Sequence, residues 1–175
     1  MISKKIKTNQ GFTLIELLAS VFIIALISGV FMVNYQNTNK RSQLKMSAQK
    51  LVSDIRLAQN YSLGSKAYNG TNTPTGGWGA HFNLASPGQY IIFADIDGDH
   101  AYGADDAGEV KNLPAGVVID SLSPGDMVDI VFLPPDPITY VNASPAAGAQ
   151  ITLKEGVNNS TAAVRVNSFG LIDVQ

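Results

Sequence analysis

Cysteine is absent from the 175 residues, so no disulfide can staple the fold and no thiol can act as nucleophile or metal ligand. Only two histidines occur, His81 and His100, and they lack the spacing of a metal-binding pair. No G-x-S-x-G turn and no phosphate loop is present. With no nucleophile–base pair to be found, an enzyme is not expected. Proline is missing from the whole first third: all eight prolines lie from Pro74 onward, so nothing interrupts a helix before that point. Charge is lopsided. Residues 1–66 carry nine Lys/Arg against Glu16 and Asp54, a balance of +7, whereas residues 67–175 carry three against twelve acids, a balance of −9. An acidic C-terminal part is a poor partner for phosphate polyanions, whose affinity comes from clustered Lys/Arg, so nucleic acid is not an expected ligand of it.

What is present in quantity is a single apolar run, Phe12 to Val33, broken only by Thr13, Glu16, Ser20, Ser28 and Gly29. As a helix its 22 residues reach about 33 Å, enough to cross a bilayer core. Lys4, Lys5 and Lys7 precede it and hold the N-terminus on the cytoplasmic side, which leaves the C-terminal part outside. A secretory signal ends its apolar core in small residues before cleavage, but here the polar-to-apolar switch falls at Gly11/Phe12, ahead of the core. Glu16 is the anomaly: a carboxylate in hydrocarbon costs roughly 2.5–3.5 kcal/mol at mid-bilayer and less near the edge, so its presence needs a reason.

The stretch KKIKTNQ-G-FTLIE, with Gly11, Phe12, Thr13, Leu14, Ile15, Glu16 and Leu17 contiguous, resembles the class III signal of type IV prepilins and pseudopilins. That resemblance implies cleavage between Gly11 and Phe12 by a membrane-embedded prepilin peptidase and N-methylation of Phe12. It also implies assembly of the remaining helix with other pilin or pseudopilin subunits on an inner-membrane platform. The chain would then be a single-pass inner-membrane protein with an extracytoplasmic head, carried in a pilus or pseudopilus. A new ammonium at Phe12 lies about one helical turn from Glu16, and a carboxylate there can neutralise it in the same chain or in a neighbour.

Downstream, Leu44, Ala48, Leu51, Ile55, Ala58 and Ser62 recur at steps of three and four, with Val52 widening the stripe, which predicts one buried helix face ending near Leu63 with Gly64 as its cap. From Trp78 the pattern turns to short β-rich runs: 78–83, 89–94, 117–122, 128–133, 138–141, 149–154, 163–167 and 171–174. The expected fold is α+β, a long N-terminal helix packed on an antiparallel β-sheet head. Its divisions are a leader 1–11, a transmembrane helix 12–33, a helical stalk 34–66 and a β-rich head 67–175. The order of WGAHFN, QYIIFADIDGD and VRVNSFGLIDV after such a helix is similar to the H-type minor pseudopilins of type II secretion and the fimbrial T-type minor pilins. This implies a structural subunit of a tip or initiation complex. An anchored binding module for an exoprotein, a surface ligand or DNA is the alternative.

One loop in the head offers further chemistry. Asp95, Asp97, Asp99 and Asp106 are spaced partly as in a calcium loop, since Ca²⁺ takes six to eight oxygens, but the glycine falls early, at Gly98, and His100 stands at its place. Calcium and a solvated acidic turn are both compatible with that spacing. Trp78, Tyr90 and Phe93 are expected in the sheet core, and Pro134–Pro137 as a rigid loop or a guard on a strand edge.

Overall fold

The computed structural model describes residues 11–135, 138–145 and 147–175, without the side chains of 33–37; the leader residues 1–10 and Pro137 lie outside the described residues. The chain is α+β. Helix α1 (Leu14–Leu63) is followed by β1 (Gly77–Asn83), β2 (Gln89–Asp95), β3 (Ala107–Asn112), β4 (Val117–Ser123), β5 (Met127–Leu133), β6 (Ile138–Val141), β7 (Ala149–Glu155), β8 (Thr161–Val166) and β9 (Ile172–Val174). Two compact units result, one ending at Thr38 and the other running from Asn39 to Gln175.

In the second unit the helix stripe is buried as its spacing predicts: Leu44, Ala48, Leu51, Val52, Ile55, Ala58 and Ser62 are all inside. Burying each large aliphatic side chain contributes about 1.5–3 kcal/mol, more than helix propensity alone supplies. The helix ends in a Schellman turn, with the Lys66 N–H donating to Tyr61 O (2.8 Å) and the Ser65 N–H to Ser62 O (3.0 Å). The expected cap is displaced by one residue. Ser65 takes the left-handed conformation (φ 47°), while Gly64 still donates to Asn60 O. A Cβ at Gly64 would lie only 3.1 Å from that same oxygen, so the glycine relieves the last turn instead of reversing the chain.

The head is antiparallel β-sheet as expected, divided into two sheets. Five strands form one antiparallel sheet in the order β3-β2-β1-β5-β6, and four form a second in the order β4-β7-β8-β9. Both contribute to one core with the helix stripe, through Phe82, Ile92, Ile130 and Phe132 from the first sheet and Ile119, Ile151, Leu153 and Val164 from the second. Strand β3 was not expected, because AGEVKN holds one large apolar residue and an exposed edge needs no more. At the helix terminus the Ser62 hydroxyl donates to Phe132 O and accepts from the Trp78 N–H, fixing α1 to β1 and β5. Gly77 makes that approach possible: φ is 93°, and a Cβ there would meet Phe132 O at 2.1 Å.

Side chains alternate across a strand, so Phe93 and Val131, both fully buried, face away from Ile92 and Ile130. They form a smaller core on the other side of the first sheet. Tyr102, from the loop after β2, covers it, with its ring 5.2 Å from Phe93 and 4.9 Å from His81. Tyr90 and Phe93 are thus core residues as expected, whereas Trp78 is only half-buried.

Candidate functional site

The N-terminal motif begins at a glycine that the fold does not require. A Cβ at Gly11 would meet nothing within 4 Å. Phe12 is 80% exposed, and every large apolar side chain from Leu14 to Met32 is exposed on all sides of the helix. Residues Leu14–Met32 are long and apolar enough to cross a membrane. A helix apolar all round finds no partner in its own unit and needs lipid or other helices.

Glu16 has a local role that its anomaly alone did not suggest. Thr13 is the N-cap: its Oγ1 accepts the Glu16 N–H at 3.3 Å, its hydroxyl donates back to Glu16 Oε2 at 3.4 Å, and its carbonyl accepts the Leu17 N–H at 3.1 Å. This is a variant of the capping box, and the T-x-x-E spacing that signals one was readable in Thr13 to Glu16. The carboxylate remains exposed, with accepting capacity left over.

The acidic loop closes on itself. Asp95 is fully buried and accepts from the Gly98 N–H (2.7 Å), the His100 N–H (3.0 Å) and His100 Nδ1 (3.2 Å). Burial pushes its carboxyl up, outweighing the opposing pull of those hydrogen bonds. Asp106 accepts from Ile96 (2.9 Å) and Gly103 (2.8 Å), Asp97 from Asp99 (3.3 Å) and Asp99 from Ala101 (2.8 Å). Carboxylate oxygens of Asp95, Asp97 and Asp99 lie within 4.8 Å of one another, so the structure brings three of the four predicted residues together while Asp106 braces the loop from its far end. His100 adopts the left-handed backbone (φ 62°) at the position where a glycine is usual, and its ring stacks on Tyr140 at 3.9 Å. The arrangement holds the loop as a lid on the smaller core.

Three further buried acids escaped sequence reasoning, the first being Asp54, which accepts from the Tyr90 hydroxyl (2.5 Å) and Lys50 Nζ (3.1 Å). Asp129 pairs with His81 Nδ1 at 2.6 Å, a contact between residues on neighbouring strands that no local pattern marks. Glu155 is buried at the end of β7. Burial pushes its carboxyl up, but N–H donors from Val157, Asn158 and Ser160 outweigh that and hold it below the usual carboxylate range.

Residues 6–32 match the family model for the prokaryotic N-terminal methylation motif. The match covers the glycine, the phenylalanine and the apolar helix, and supports a pilin or pseudopilin subunit processed by a prepilin peptidase and assembled with other pilins. With the helix Leu14–Met32 it fits a single-pass membrane anchor. No curated protein and no solved structure matches the chain.

Proposed function

We propose that the chain is a non-enzymatic structural subunit, cut between Gly11 and Phe12, methylated at Phe12, and assembled through the helix beginning there. Residues 12–33 are its membrane span, and the head lies outside the cytoplasm. Its place is that of a minor, H-type-like pseudopilin in a secretion pseudopilus or a minor pilin in a type IV pilus, at the tip or in the initiation complex. The observation that carries this reading is an exposed apolar stretch, Leu14–Met32, whose one carboxylate, Glu16, follows closely on a glycine with no steric role in its own chain. Glu16 then serves as the docking charge for a neighbouring Phe12 ammonium, at a depth where an unpaired ion is costly.

The cap and the docking charge make different demands, and substitution separates them. Glu16→Gln keeps a hydrogen-bonding side chain at the cap and removes the charge; Thr13→Ala removes the cap and keeps the charge. Membrane insertion should survive both, while incorporation into sheared filaments should fall steeply for Glu16→Gln alone. Equal loss in the two variants would sink the docking role and leave Glu16 as a capping residue.

A further inference from the structure

The turn joining β8 to β9 carries the most exposed large apolar side chain of the head, Phe169 at 82%, with Leu171 beside it at 64%. The turn is rigid. Asn167 Oδ1 accepts the N–H groups of Phe169 (3.0 Å) and Leu171 (2.9 Å), the Gly170 N–H donates to Asn167 O (3.0 Å), and Gln59 from the helix donates to Gly170 O (3.0 Å). An exposed aromatic carried on an ordered backbone has less entropy to lose on binding than one on a loose loop, which is the character of an interface anchor.

A receptor of the right size lies on the same unit. Leu57, Tyr61, Trp78 and Ile92 wall an open cleft of about 260 Å³ that Glu109 and Lys111, ion-paired with each other, also line. A cavity of about 150 Å³ holds a benzene ring, so the cleft has room for one phenyl group and part of a neighbour. Lys66 stands at its rim, its ammonium 3.3 Å from the Tyr61 ring centroid. Asp173 stands beside the knob, cross-strand from Arg165. Both are exposed, and among the described residues neither is in an ion pair with another side chain.

Knob and cleft cannot meet within one copy. An α-helix turns about 100° per residue, so Gln59, which holds the knob, and Leu57, which walls the cleft, point about 160° apart around α1. We infer that the Phe169 turn of one copy inserts into the Tyr61–Trp78 cleft of the next, with Asp173 meeting Lys66 across the rim. Such a contact uses two different surfaces of each copy and therefore repeats from copy to copy as a ring or a row instead of closing into a two-fold dimer; within the proposed function it favours a minor subunit present in adjoining copies over a tip subunit present once. It lies entirely within residues 39–175 and stands apart from the N-terminal signal.

The absence of native cysteine makes crosslinking of the full-length chain in native membranes a clean test. Chains carrying Phe169→Cys mixed with chains carrying Leu57→Cys should form a disulfide adduct under mild oxidation, and the doubly substituted chain should form a ladder. Neither single variant alone should give more than a trace. Lys66→Cys, at an exposed rim position, replaces Leu57→Cys should the latter lower the melting temperature. Adding Lys66→Asp to the Leu57→Cys chain should reduce the adduct about tenfold, and Asp173→Lys on the Phe169→Cys chain should restore it. No adduct in the mixture overturns the inference. So does an equally strong adduct from either single variant, because that would mean a two-fold contact.

Discussion

The first 19 residues of α1, Leu14–Met32, and its last 20, Leu44–Leu63, belong to one continuous helix yet stand in opposite relations to their surroundings. The first stretch exposes its apolar side chains on every side; the second buries one stripe and shows charge and amide elsewhere. The difference teaches where each stretch finds its partner. For the stripe the partner is the rest of its own unit, and complementarity is complete: among the described residues, no buried side-chain N or O lacks a hydrogen bond. The first stretch has no such partner in its own unit, which fits a membrane anchor, and on the proposed function the glycine, phenylalanine and glutamate at its start serve processing and assembly.

The largest effect is expected from breaking the second stretch. Ile55 is fully buried, so Ile55→Asp should unfold the unit or cost more than about 4 kcal/mol, and Ile55→Ala about 2–5 kcal/mol. Ile23→Ala, in the exposed stretch, should leave the denaturation midpoint of the head unchanged. A head destabilised equally by both would erase the contrast.

Next in size is a pH effect from the buried carboxylates, measured as melting temperature against pH. Glu155 is held below its ordinary value of 4.5, so its contribution is fully present above that value and is lost as pH falls through the lowered one. Asp95 has the opposite sign: its carboxyl is raised above 3.8, and taking up its proton as pH falls through the raised value favours the folded state. Glu155→Gln should therefore lower stability at neutral pH and flatten the acid limb, so that the two curves converge at low pH. Parallel curves would show that Glu155 does not titrate as its three amide donors demand.

A smaller effect belongs to the start of the helix. Thr13→Ala should cost about 0.5–2 kcal/mol of local helix stability, seen as faster amide exchange at residues 15–17 with none in the head. The smallest is expected from calcium. Asp95 and Asp106 each already have both oxygens engaged by donors of this chain, which leaves Asp97 and Asp99 as the freer ligands against a requirement of six to eight oxygens. Melting in millimolar calcium and in chelator should differ by no more than about one degree. A shift of several degrees would mean that the loop rearranges around a cation.

The parts of this molecule legible in the sequence are those where one element's own pattern decides its place. The stripe from Leu44 to Ser62 reads off as a period, and eight of the nine strands read off as short apolar runs between turn residues. Strand β3 does not, because its place comes from pairing with β2 and not from AGEVKN itself. The division into two sheets and the His81–Asp129 pair depend on contacts between distant residues, which periodicity cannot carry. At the N-terminus the methylation motif was legible because one contiguous stretch carries it, whereas the roles of Gly11, Phe12 and Glu16 within it rest on the proposed function. The Thr13 cap is marked by the T-x-x-E spacing from Thr13 to Glu16.

The most direct measurement is the intact mass and N-terminal sequence of the protein isolated from membranes of cells with an active prepilin peptidase. The mature chain should begin at Phe12 with one added methyl group, and Gly11→Leu should leave the leader attached. A chain that still begins at Met1 in those cells would contradict the processed, filament-forming role.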